Sequence, residues 1–251
     1  MTLRRVCWGL VVMTAAAAVL RGATLPDRRQ VISTGRAPGD PAYSSFFGRA
    51  VTDAGTFWYT EYHTLRTAKG RTDINTRYVA ASGAPIAELS ADVGSRRYLP
   101  TTRMIDHRDN YRYAIEPQID RHGVLITQQL AHGAEEHRTL ALRDDLMTFQ
   151  GIMLYIIDQR AALERGQSLY AQSIVPSRMT SYGVRIYKRA VQGNLLTVRL
   201  EMSSAAFRFF STPSDVTIDL ASGRLLEFAG PSNLLDDKDK PVRVHIIYEY
   251  P

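Results

Sequence analysis

Cysteine is nearly absent. Cys7 is the only one in 251 residues, and it lies in an N-terminal stretch that reads as an export leader. The chain after that leader has no thiol for a disulfide or a thiolate metal site. There is no phosphate-cradling glycine loop of the P-loop or dinucleotide kind. No serine stands in a G-x-S-x-G elbow, which leaves a serine hydrolase with little support. No repeat of 20 to 50 residues can be aligned, and low-complexity sequence is confined to the alanines of the leader. Dense basic runs are missing too. Of the formal charge of +6, three charges belong to Arg4, Arg5 and Arg21, and the rest is too evenly spread for a nucleic-acid footprint. With 45% hydrophobic and 22% charged residues, the composition is ordinary for a globular protein, and the length suits one sizeable domain or two small ones.

The opening MTLRRVCWGLVVMTAAAAVLRGA has a basic start, an apolar stretch from Val6 to Leu20 and small residues after it. That is the layout of a secretory signal peptide, assigned to residues 1–23. The cleavage point has three rival positions, the Ala16–Ala18 run, Gly22 and Ala23. A bilayer span needs ~20 apolar residues, so a retained anchor is disfavoured. The expected location is periplasmic or secreted, with membrane association at most transient. Residues 24–50, rich in Gly, Pro, Arg and Ser, read as a loose lead-in tacked down by Phe46 and Phe47. Residues 51–251 read as one domain.

Within that domain most segments have the length and turn punctuation of short strands. GTFWYTEYHTL, RTDINTRYVA and PIAELSADV are separated by Lys69-Gly70 and Ser82-Gly83. In RTDINTRYVA, Ile74, Thr76, Tyr78 and Ala80 share one side. TTRMIDHR, YRYAIEP, VLITQQL and HRTLALR follow. Later come QSLYAQSIV, YGVRIYKRAV, LLTVRLEMS, AAFRFFS, DVTIDL, RLLEFAG and VRVHIIYEY. Such spacing predicts antiparallel hairpins, because a parallel pair needs a long crossover. One stretch differs. From Asp144 to Gly166 the apolar residues Leu146, Phe149, Ile152, Met153, Ile156, Ile157 and Leu163 fall within about 140° of a helical wheel. Asp144 is placed to cap its start and Gly166 to end it. The fold class expected is α+β, mainly β, with a curved antiparallel sheet (a half-barrel) wrapped around one long central helix.

That order of elements, together with the stretch DVTIDLASGRLLEFAGPSNL, resembles the lipoprotein-localisation (LolA-like) superfamily of envelope proteins. The resemblance covers residues 50–251 as an architecture. It implies a concave apolar surface for acyl chains or another amphiphile, hence a non-catalytic, exported binding protein without a cofactor. The alternatives are a structural or interaction module that engages an envelope protein and, third, a hydrolase.

On that reading the ligand-binding candidates are Trp58, Phe149, Met153, Ile157 and Arg160. The four apolar residues would line the pocket, though residues so spaced are more often plain core. Arg160 projects into the apolar arc, where it would either snorkel beside a helix C-terminus or hold an acidic headgroup. Two polar clusters are assigned to turns. His132-Gly133-Ala134-Glu135-Glu136-His137 has one residue too many for a zinc-binding H-x-x-E-H. Asp106-His107-Arg108-Asp109 alternates faces and cannot converge as a catalytic base would require. No metal is expected.

Overall fold

The computed structural model describes residues 45–131, 133–205, 211–236 and 240–251. The signal peptide 1–23, most of the lead-in, His132 and residues 206–210 of the AAFRFFS segment lie outside the described residues.

The first half of the described chain is a strand meander. It runs β1 (Ser45–Thr52), β2 (Phe57–Ala68), β3 (Arg71–Ala80), β4 (Pro85–Val93), β5 (Thr101–Asp106), β6 (Arg112–Gln118), β7 (Gly123–Gln129) and β8 (Glu135–Ala141). A two-residue strand, β9 (Leu146–Met147), leads into α1 (Phe149–Asp158) and α2 (Arg160–Glu164). A second meander follows: β10 (Leu169–Val175), β11 (Thr180–Gln192), β12 (Leu195–Met202), β13 (Ser214–Asp219), β14 (Leu225–Leu235) and β15 (Pro241–Glu249). Among the described residues all fifteen strands form one sheet, and β1 beside β15 joins the two meanders. Every ladder is antiparallel except the short one between β9 and β10. Strand begins at Ser45, inside the segment read as lead-in, and Phe46 stacks on His63 at 4.3 Å.

The long central helix is not there. The protein is mainly β with two short helices, and the expectation of a curved sheet wrapped around one 144–166 rod is overturned. Leu146 and Met147 pair in parallel with Gln172 and Ser173, and both are buried. A strand covered on both faces carries the same run of apolar residues as the first turn of a helical stripe, so periodicity cannot separate the two. Thr148, extended at φ −78° and ψ 170°, is the true N-cap, its Oγ1 accepting from the Gly151 amide at 3.1 Å. Asp144 instead approaches Arg96 at 3.5 Å from an exposed position. The helix is then broken at Gln159, whose φ of −96° and ψ of 11° separate α1 from α2. Gly166 does end the helical run, at φ +91°.

The sheet closes far enough on itself for distant strands to touch through their side chains. Tyr59 of β2 and Ser232 of β14 share a hydrogen bond of 2.8 Å, although β1 and β15 lie between those strands. Asn233 donates to the Tyr78 hydroxyl at 3.3 Å. The turn Pro176–Arg178 lies against β6 and β7 of the other meander. Register shifts in the β1/β2, β3/β4, β11/β12, β13/β14 and β14/β15 pairs supply local bends. A single apolar cluster fills the interior, with Ile115 and Ile126 from the first meander, Ile186, Leu196 and Ile218 from the second, and Ile152 and Ile156 from α1.

Candidate binding surface along the short helix

The ten residues of α1, FQGIMLYIID, carry only two strongly polar side chains, Gln150 and Asp158. A helix apolar on all sides is ordinarily sealed in a core. Here only Gly151, Ile152 and Ile156 are fully buried, while Phe149, Met153, Leu154, Tyr155 and Ile157 are partly covered.

The loop between β4 and β5 fixes the helix at both ends. At the N-terminal end the Thr148 amide donates to the Tyr98 carbonyl at 3.2 Å, and Gly151 lies so close that a Cβ there would stand 1.7 Å from the same oxygen. Gly151 is the third residue of the helix, and its missing Cβ is what permits this approach. At the C-terminal end Arg97 grips Asp158 with two hydrogen bonds, 2.6 and 3.1 Å, and the Tyr98 hydroxyl donates to the same carboxylate at 3.1 Å. The hydrogen bond to Asp158 raises the Arg97 pKa. Burial, and then the Asp158 charge, raise that of Tyr98. The Tyr98 ring meets that of Tyr155 at 5.0 Å.

The five candidate residues do not form one cluster. Phe149 packs edge-on to Phe228 of β14 at 5.6 Å. Ile157 and Arg160 come together over the β13–β14 turn, close to where a Cβ on Gly223 would lie. Arg160 donates to the carbonyls of Leu220 and Ile157, both at 2.9 Å, which occupies two of its five donors and ties the helix to that turn. Met153 packs against the core from its partly covered position. Trp58 is elsewhere. The register slips between Ala50 and Val51 and leaves Trp58 opposite no residue of β1. Its ring lies 5.1 Å from that of Tyr59, and the Arg108 guanidinium stands over it at 5.7 Å.

Beside Trp58 runs a buried polar network that the sequence reading passes over. Tyr59, Glu61 and His63 alternate along β2 and point inward. Glu61 is buried. Its carboxylate lies 3.1 Å from His63 Nε2 and accepts from the Tyr248 hydroxyl, while His63 Nδ1 and Thr76 Oγ1 share a hydrogen bond of 2.9 Å. Burial and the Glu61 charge push the pKa values of Tyr59, Tyr78 and Tyr248 above the ordinary tyrosine value. The available signal was a carboxylate at an inward position of an alternating strand, where an ionised group needs partners.

In the 106–109 cluster β5 ends at Asp106 and residues 107–109 form a turn. His107 is exposed and Asp106 is fully buried. Arg108 makes a two-pronged ion pair with Asp106 and also donates to the Leu235 carbonyl at 2.9 Å, which fastens the β5–β6 turn to β14. His137 of the other histidine cluster lies on β8, sharing a hydrogen bond of 3.0 Å with Thr127, while His132 lies outside the described residues. Among the described residues no group of three or more His, Cys, Asp or Glu side chains is placed to hold a metal. No described helix is long and apolar enough to cross a membrane.

No known family model matches the chain, and no curated protein matches it. Among solved structures, a β-barrel-like protein of a domain of unknown function (DUF1849) from Brucella abortus is similar, with a TM-score of 0.44 and 8% identity over 82% of this chain and 97% of that one. No family is thereby assigned. The lipoprotein-localisation resemblance rests on sequence pattern alone.

Proposed function

We propose that the protein binds a single-chain amphiphile or similar hydrophobic ligand along α1, as a non-catalytic, exported binding protein of the periplasm or extracellular space. The observation that carries this reading is the incomplete cover of a largely apolar helix. Five of its large side chains keep surface in contact with water, and burying such surface is worth roughly 25 cal/mol per Å² to whatever covers it. Phe149, Met153 and Ile157 would contact the ligand's chain. Arg160, at the C-terminal end of α1, retains donors for an acidic headgroup. Trp58 lies with the network around Tyr59 and is not assigned to this surface.

An interaction module that engages a partner by strand addition is less well supported. The exposed edge strand β8 carries Glu135, Glu136, His137 and Arg138 in succession, and charged edges discourage pairing with another chain. To test the binding reading, protein prepared without detergent from its native host is sprayed under native conditions. A bound mass in the range of a lipid or fatty acid, lost in a Met153→Glu variant of unchanged circular dichroism, is the expected result. Ligand-free protein across several preparations would count against the proposal.

A further inference from the structure

A second site lies where the two meanders approach each other, and it shares no residue with the helix surface. β7 and β8 pair with Gln128 opposite Glu136 and Ile126 opposite Arg138, so these side chains share one face of the sheet. The turn Pro176–Arg178 stands against β6 and β7. After it, Met179 holds a φ of +49°, a backbone state uncommon outside glycine and enriched where a site constrains the chain. Between turn and strands is an open depression of about 630 Å³, with Gln128 and Met179 as its buried members, Glu136, His137 and Arg138 along β8, and Ser177 and Arg178 opposite.

Two observations point to a ligand here. Gln128 is only 5% exposed, and its Oε1 is buried with no hydrogen-bond partner among the described residues. A buried amide is ordinarily satisfied, and one left open is a cost that packing alone gives no reason to keep. Arg138 and Arg178, moreover, line the depression and make no ion pair with a carboxylate among the described residues. Two cations ask for an anion. The Gln128 oxygen and the Glu136 carboxylate are acceptors that ask for hydroxyl donors, and the carboxylate disfavours a bare anion.

We propose that this depression binds an acidic saccharide, a hydroxylated carboxylate of the uronate type. Arg138 and Arg178 hold its carboxylate, while Gln128 and Glu136 accept from its hydroxyls. The test is calorimetric titration of the full chain with galacturonate and glucuronate, beside glucose and inorganic phosphate. Saturable binding of a uronate is expected. Arg178→Ala, on an exposed turn, is expected to weaken it roughly 10-fold, the scale of losing one charge-assisted contact. Gln128→Met removes the unsatisfied oxygen at nearly constant volume, so it is expected to weaken binding while leaving Tm unchanged or higher. The proposal is overturned if neither uronate saturates at millimolar concentration, if phosphate or glucose binds as well as the uronates, or if Gln128→Met lowers Tm and leaves binding intact.

Discussion

Single residues hold this fold most tightly where charge is buried. Asp106 is fully enclosed, and the Arg108 guanidinium is its ion-pair partner there. In an Arg108→Met variant the carboxylate keeps its burial and loses its partner, which costs about 3–5 kcal/mol. The urea midpoint is expected to fall accordingly, and a shift below about 1 kcal/mol would mean that water reaches Asp106. Tyrosines test the interior from the other end of the pH scale. Burial first, and then Glu61, raise the pKa values of Tyr59, Tyr78 and Tyr248, and burial alone raises that of Tyr113. Their folded values exceed the unfolded value of about 10, so the stability they contribute is complete below that pH and is lost as pH rises beyond it. Ultraviolet titration is expected to show these four rings staying protonated until alkaline unfolding. Ionisation of all tyrosines near pH 10 in the folded state would contradict the burial.

At the scale of elements, the docking of α1 turns on Gly151. Alanine there, in the first turn, would gain at most about 1 kcal/mol of helix propensity. It would also drive a Cβ into the Tyr98 carbonyl, which stands 1.7 Å from where that carbon must go, and overpacking of this kind reaches 3 kcal/mol or more. The clash is larger, so Gly151→Ala is expected to destabilise the protein by at least about 2 kcal/mol in chemical denaturation. A stabilised variant would show that the helix is not seated on the β4–β5 loop. The strands were far more legible than this helix. RTDINTRYVA and PIAELSADV became β3 and β4 without a shifted residue, because alternation and glycine turns are local signals. Periodicity places the start of α1 too early because Leu146 and Met147 are held by β10, a contact that no window of 20 residues contains. Of the candidate residues, the pairing of Ile157 with Arg160 follows from helical spacing. The separation of Trp58 depends on a register slip in β2, and the pairing of β1 with β15 depends on the ends of the chain meeting.

For the whole molecule, that meeting of ends makes one sheet out of two meanders and brings the Pro176–Arg178 turn against β6 and β7. The interior is thereby shared between both halves, and α1 is left with apolar side chains that the sheet does not fully cover. Methionine methyl resonances separate the consequences. Met153 stands on the helix, Met179 in the polar depression and Met104 deep in the core, 1% exposed. With methyl-13C methionine in the full chain, lysophosphatidylcholine is added below its micelle concentration and the spectra are followed by NMR. A saturable shift of Met153 is expected, with Met104 and Met179 unmoved. An unchanged Met153 resonance, or a uniform shift of all three, would rule out a ligand seated along α1.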